Sequence, residues 1–214
     1  MPQTLQARDL TLRLLGDRFG VQRSKDEDFF LEWREATAPT TPEEHSRLDR
    51  IRAHYDALTT AGPLSEDAVK MVVLAPLLDM AGFFDAPFQL QTEVSVEITA
   101  EDDGVVYKGK IDVLMLRERF WVLVVEAKNT TFDVLTALPQ ALFYLLGAPE
   151  SEQPRYALLI NGREAVFVKL VRQDAGARYS LSHAFSILEP AEDLPALLAV
   201  LKHLARLVST PSPP

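Results

Sequence analysis

The stretch KIDVLMLRERFWVLVVEAK, residues 110–128, constrains this chain more than any other. Its two arms are apolar enough to be buried strands, and Arg117, Glu118 and Arg119 between them mark a tight reversal. Yet one arm opens on Asp112 and the other closes on Glu126 and Lys128, charges that an apolar core does not accept unpaired. If Leu116 pairs with Phe120, then Asp112 pairs with Val124 and Lys110 with Glu126. Asp112, Glu126 and Lys128 then share one face. A slip of one residue sends Asp112 to the other face.

The flanks set this hairpin in context. Residues 1–62 read as a mostly helical extension. It ends in TPEEHSRLDRIRAHYDAL, where Thr41 is the expected N-cap and Leu48, Ile51, Tyr55 and Leu58 stand at helical spacing. After Gly62-Pro63, SEDAVKMVVLAPLLDMAGF reads as a buried helix capped by Ser65, kinked at Pro76 and stopped at Gly82. QLQTEVSVEI alternates with period two and precedes the central hairpin as a third antiparallel strand. A helix capped by Thr131 and disturbed by Pro139 is expected from Phe132 to Leu146. RYALLI and EAVFVKLV flank an Asn161-Gly162 turn as a hairpin, and Asp193–Leu207 is a terminal helix. The expected organisation is thus a helical extension (1–62), a core (63–190), a C-terminal helix (191–208) and a tail (209–214).

Composition excludes several chemistries. There is no cysteine, and the four histidines lack HExxH spacing, so a zinc site is not expected. The segment Gly104-VVYK-Gly109-Lys110 fits the start of a P-loop, but Ile111 follows and the pattern leads into a strand, so no ATP site is expected. No stretch reads as a signal peptide or membrane span, and a cytoplasmic location is the expectation. The net charge of −9 argues against a broadly basic nucleic-acid surface. The first 25 residues are the exception, with Arg8, Arg13, Arg18, Arg23 and Lys25 against Asp9 and Asp17, a net of +3.

Two carboxylates and an ammonium on one face suit hydrolysis of a phosphodiester assisted by a hard cation, which takes oxygen ligands and acidifies water. By itself an E-x-K triplet reads more readily as ordinary solvated strand ends forming a salt bridge. The wider pattern is D-x13-E-x-K followed, fourteen residues after Glu126, by Gln140 and Tyr144 as a Q-x3-Y on one helix face. This combination resembles the PD-(D/E)XK nuclease superfamily, in particular the nuclease domain at the N-terminus of type I restriction enzyme R subunits, which shares the Q-x3-Y motif with RecB-like nucleases. The resemblance covers roughly residues 63–172. It implies an α/β restriction-endonuclease-like core with a mixed, centrally antiparallel sheet flanked by helices. It also implies a metal-dependent endonuclease; in departure from those subunits, no ATP-driven motor is expected in this sequence.

By position, the resemblance implies that Asp112 and Glu126 ligate Mg²⁺, with Mn²⁺ as a substitute, that the Ala127 carbonyl adds a ligand, and that Lys128 is the catalytic lysine. Gln140 and Tyr144 contact the nucleic-acid backbone or brace the site. Glu66, in the first turn of the first core helix, is a further ligand candidate, or a carboxylate that simply favours a helix N-terminus. The implied partners are nucleic acid, with DNA expected, and protein subunits or a second copy of the chain, but no membrane. The competing expectation is an inactive nuclease-fold module for nucleic-acid binding or assembly.

Overall fold

A computed structural model describes residues 4–99, 105–117, 120–127, 129–149, 153–173, 176–189 and 191–209; at 99, 120–126 and 209 it describes the backbone only. In chain order, β1 (Thr4–Gln6) and a 3-10 turn lead to α1 (Leu12–Phe19) and β2 (Val21–Arg23), then α2 (Pro42–Thr59). A single helical rod follows in three pieces: α3 (Glu66–Val69), a π turn (Lys70–Leu74) and α4 (Ala75–Met80). Next come β3 (Phe88–Thr99), β4 (Val106–Arg117) and β5 (Phe120–Ala127), then α5 (Leu138–Gly147). The chain continues through β6 (Arg155–Ile160), β7 (Glu164–Gln173), β8 (Gly176–Leu181) and β9 (Phe185–Ser186) to α6 (Asp193–Ser209).

The strands form one mixed sheet in the order β1-β4-β5-β6-β7-β8-β2, with β3 on β4 and β9 on β7. At its centre β5 and β6 run parallel, while β3-β4-β5 and β6-β7-β8 are antiparallel on either side. A parallel β5–β6 pair needs a crossover, and α5 supplies it. All six residues of β6 are buried, as befits a strand covered on both faces. Leu158 and Ile160 face a core built with Leu48, Val69, Leu77 and Leu201 of α2, the rod and α6. Ala157 and Leu159 face the opposite core, built with Leu142 and Phe143 of α5 and Leu15 of α1. The result is a mixed α/β fold with helices on both sides of the sheet, consistent with a restriction-endonuclease-like architecture.

Local chemistry explains most boundaries. Thr41 accepts from the Glu44 amide at 3.2 Å while the Glu44 carboxylate accepts from the Thr41 amide at 2.8 Å, so α2 starts on a full capping box. Leu48, Ile51 and Tyr55 are buried, but Leu58, expected on the same stripe, is exposed. Pro76, where the sequence leads one to expect a kink, follows a widened turn. It has no amide to donate and its ring crowds the carbonyl four residues back, so the preceding turn opens until the Ala75 amide reaches the Lys70 carbonyl. Ahead of α5 the cap is Asp133, accepting from the Leu135 amide at 2.7 Å, in place of the expected Thr131; a 3-10 turn (Val134–Ala137) intervenes. Pro139 then sits in the first turn of α5, where a missing amide costs nothing, so it starts this helix where sequence suggested it would disturb one.

The N-terminal segment also does more than form helices. β1 joins β4 and β2 joins β8, both in parallel, at opposite ends of the strand order. The basic residues Arg13 and Arg18 lie on α1 between them, and Arg23 ends β2.

Candidate active site

β4 has three neighbours. β3 runs along one of its edges from Phe88↔Arg117 to Thr99↔Val106. The other edge is shared: β1 takes Val106–Lys108 and β5 takes Val113–Arg117. Gly109 to Asp112 therefore form a gap that no strand fills among the described residues, and at Lys110 a side chain satisfies the backbone instead. The Tyr144 hydroxyl donates to the Lys110 carbonyl at 2.8 Å and accepts from the Lys110 amide at 3.0 Å. Gln140 donates to the same hydroxyl at 2.8 Å. One donor and two acceptors are thereby used, the full capacity of a hydroxyl. The Q-x3-Y pair thus ties α5 to β4 two residues from Asp112, with the Tyr144 ring fully buried.

At the other end of the gap, Asp112 Oδ2 accepts from the Ala127 amide at 2.9 Å. That bond joins the aspartate to the strand end carrying the E-x-K triplet. The register beneath it differs from the one expected. Arg117 pairs with Phe120 and Leu116 with Trp121, so the reversal contains two residues, and the expected pairs Leu116↔Phe120, Asp112↔Val124 and Lys110↔Glu126 do not form. Continued unchanged, this register would set Asp112 against Val125. A bulge between Met115 and Leu116 leaves Val122 without a partner, and the pairing resumes as Met115↔Leu123 to Val113↔Val125. Carried one step on, it sets Asp112 level with Glu126. The Glu126 side chain and all of Lys128 lie outside the described residues, and so does the expected convergence of the three charges.

β4 also turns over at this point. Tyr107 and Ile111 belong to the core under α5, whereas Val113 and Met115 belong to the opposite core, although all four are odd-numbered and a regular strand would keep them together. The turnover falls at Asp112. Across from it, between the pairs Thr92↔Val113 and Val94↔Ile111, Glu93 adopts φ 56°, a left-handed conformation uncommon outside glycine and asparagine.

Because the strand turns, the Asp112 carboxylate meets the helical rod. Its Oδ1 lies 3.7 Å from Lys70 Nζ, which is 2.8 Å from Asp67 Oδ1. The Lys70 side chain is 20% exposed and that of Asp112 16%, so water screens this pair only in part. Burial pushes the Lys70 ammonium down, but the Asp67 hydrogen bond and the Asp112, Asp67 and Glu93 charges outweigh it, and its pKa rises above the ordinary lysine value. Glu93 bonds Lys110 at 2.5 Å, and that bond holds its carboxyl below the usual range.

Glu66, the carboxylate nominated from the first core helix, is half-buried one position before Asp67, and it is Asp67 that bonds Lys70. Among the described residues no three His, Asp or Glu side chains come together closely enough to hold a metal ion. Lys70, Asp67 and Glu93 were missed from sequence. Asp67 and Lys70 are legible only as an i, i+3 surface pair, and Glu93 only as an outward position on an alternating strand.

Among the described residues the donor at the gap is an oxygen one, the Asp112 carboxylate. A positive charge, the Lys70 ammonium, already rests beside Asp112. In kind the site fits a hard cation. Among the described residues no helix is long and apolar enough to cross a membrane.

No family model matches the chain, and no curated protein matches it. Among solved structures, the chain is similar to a fragment assigned as the HsdR subunit of a type I restriction enzyme from Vibrio vulnificus YJ016. The identity is 22% and the TM-score 0.39, over 64% of this chain and 26% of that one, so the chain spans about a quarter of the length of the structure it matches.

Proposed function

We propose that this chain is a metal-dependent nuclease that hydrolyses phosphodiester bonds as a DNA endonuclease, with Mg²⁺ as its cofactor and Mn²⁺ as a substitute. One observation carries the reading: the Asp112 carboxylate stands in the gap of β4, bonded to the Ala127 amide inside the E-x-K triplet. In this proposal Asp112, Glu126 and the Ala127 carbonyl hold the cation. Bound there, Mg²⁺ supplies Lewis acidity at phosphorus and lowers the pKa of a water. Lys128 places a positive charge against the scissile phosphate or the attacking water. Gln140 and Tyr144 keep β4 in place, which fixes where the Asp112 carboxylate stands.

A second reading, an inactive nuclease-fold module that binds nucleic acid or a protein subunit, is favoured by one feature. Lys70 already supplies Asp112 with a cation. Incubation with supercoiled, linear and single-stranded DNA in Mg²⁺ or Mn²⁺, against an EDTA control, separates the two. The nuclease reading expects metal-dependent cleavage that EDTA abolishes. Retention of DNA without cleavage under every condition supports the module.

A further inference from the structure

We infer that Lys70 is a resident counter-cation that competes with a divalent ion for Asp112, and so sets how tightly metal binds; the inference rests on the metal reading proposed above. Asp112 has two oxygens with separate tasks. Oδ2 accepts from the Ala127 amide at 2.9 Å, while Oδ1 is the oxygen that faces Lys70, 3.7 Å from its Nζ. A metal taking Oδ1 meets the Lys70 charge within a few ångströms, in surroundings where solvent reaches one-fifth or less of either side chain.

The same lysine has a second seat. Asp67 is three residues earlier on the rod, 85% exposed, and holds the ammonium at 2.8 Å. Lys70 can therefore give up Asp112 without losing a carboxylate partner, which makes the exchange with a metal reversible. Lys70 is the first residue of the widened turn, its carbonyl accepting from the Ala75 amide, and from there its ammonium reaches Asp112 on the sheet.

The test is Mn²⁺ and Mg²⁺ titration by calorimetry of the full chain, with thermal melting in EDTA and in excess metal. Lys70→Met keeps the apolar stem and removes the charge; Lys70→Arg keeps a charge. Removing a like charge a few ångströms from a divalent ion, at an effective dielectric of about 20, is expected to tighten binding roughly tenfold or more. Lys70→Arg should stay within about threefold of wild type, since the charge is retained. In EDTA, Lys70→Met should melt below wild type, because Asp67 and Asp112 then face each other unneutralised, and excess Mn²⁺ should recover more of its melting temperature than it adds to wild type.

If circular dichroism shows Lys70→Met unfolded, Lys70→Gln replaces it as the neutral variant. An affinity in the neutral variant equal to or weaker than wild type overturns the inference, and the nuclease reading survives if wild type still cuts DNA. Tighter binding without cleavage by any form keeps the inference and removes the nuclease reading. No metal bound by wild type or variant overturns both.

Discussion

The hydroxyl of Tyr144 and the backbone of Lys110 satisfy each other on both sides, amide at 3.0 Å and carbonyl at 2.8 Å, across the edge where β1 has ended and β5 has not begun. A strand edge with no partner invites water or another chain. Here a single side chain closes it, and the residue it fixes is two positions from Asp112.

Tyr144→Phe removes only that oxygen. It leaves the Lys110 amide, the Lys110 carbonyl and the Gln140 amide to find new partners at a partly buried site, and a lost set of this kind costs about 2 kcal/mol, roughly 4–8 °C in Tm for a chain of this size. Gln140→Ala, which removes one donor and leaves the Tyr144–Lys110 bonds, should cost less. Thermal melting of both variants checks the order. Equal stability of Tyr144→Phe and wild type would show that the hydroxyl does not brace β4.

Gly109 is where the Tyr144 ring and the 3-10 turn after β1 approach the strand. A Cβ there would lie 2.6 Å from Tyr144 Cε1 and 2.5 Å from the Ala7 Cβ, both rigid neighbours. Gly109→Ala should therefore cost about 1–3 kcal/mol through overpacking. It should also loosen β1, so that amides of Thr4–Gln6 exchange faster with solvent than in wild type. A variant as stable as wild type, with unchanged exchange, would contradict the packing.

Acid stability should carry a signature of Glu44. Burial pushes its carboxyl up, but the Lys202 ammonium at 2.6 Å and the Thr41 amide outweigh that and hold it below the ordinary glutamate value. A depressed folded pKa contributes stability that is present above the unfolded value of ~4.3 and is lost as pH falls through the folded one. Glu44→Gln should lose about 1 kcal/mol at neutral pH and converge on wild type in strong acid. Urea midpoints measured from pH 7 to pH 2 give the comparison; parallel curves for the two proteins would refute it.

Much of this architecture is legible in the chain because its signals are local. Ser65 and Thr41 cap the helices they precede, Gly82 stops the rod with φ 83°, and Asn161-Gly162 turns the β6–β7 hairpin. What was misread depends on contacts distant in sequence. The bulge at Val122 changes the parity of a register that counting from the loop tip assumes constant. β1 and β2 are three-residue strands that exist because β4 and β8 offer edges to them, and three residues carry no period. Lys70 reaches Asp112 over 42 positions, and only the turnover of β4 aims the aspartate at the rod. The Q-x3-Y spacing was visible, whereas its bond to the Lys110 backbone leaves no trace in side-chain pattern.

The proposed catalytic charges have different tasks, so their variants should fail differently. In Asp112→Asn the amide oxygen can still accept from the Ala127 amide, which keeps the strand end in place while removing an anionic ligand. Glu126→Gln removes the second in the same way. For both, affinity for Mn²⁺ and DNA cleavage should fall together, since a hard cation depends on charged oxygen donors. Lys128→Ala should separate the two quantities. Loss of a cation beside the metal leaves Mn²⁺ affinity equal or slightly higher, while the phosphate or attacking water loses its positioning charge and cleavage drops roughly 10²–10³-fold. Calorimetry beside the plasmid assay reads both for all three variants. Metal affinity lost in Lys128→Ala, or retained in Asp112→Asn, would mean that the roles are assigned to the wrong residues; full cleavage by Asp112→Asn would place the chemistry elsewhere on the chain.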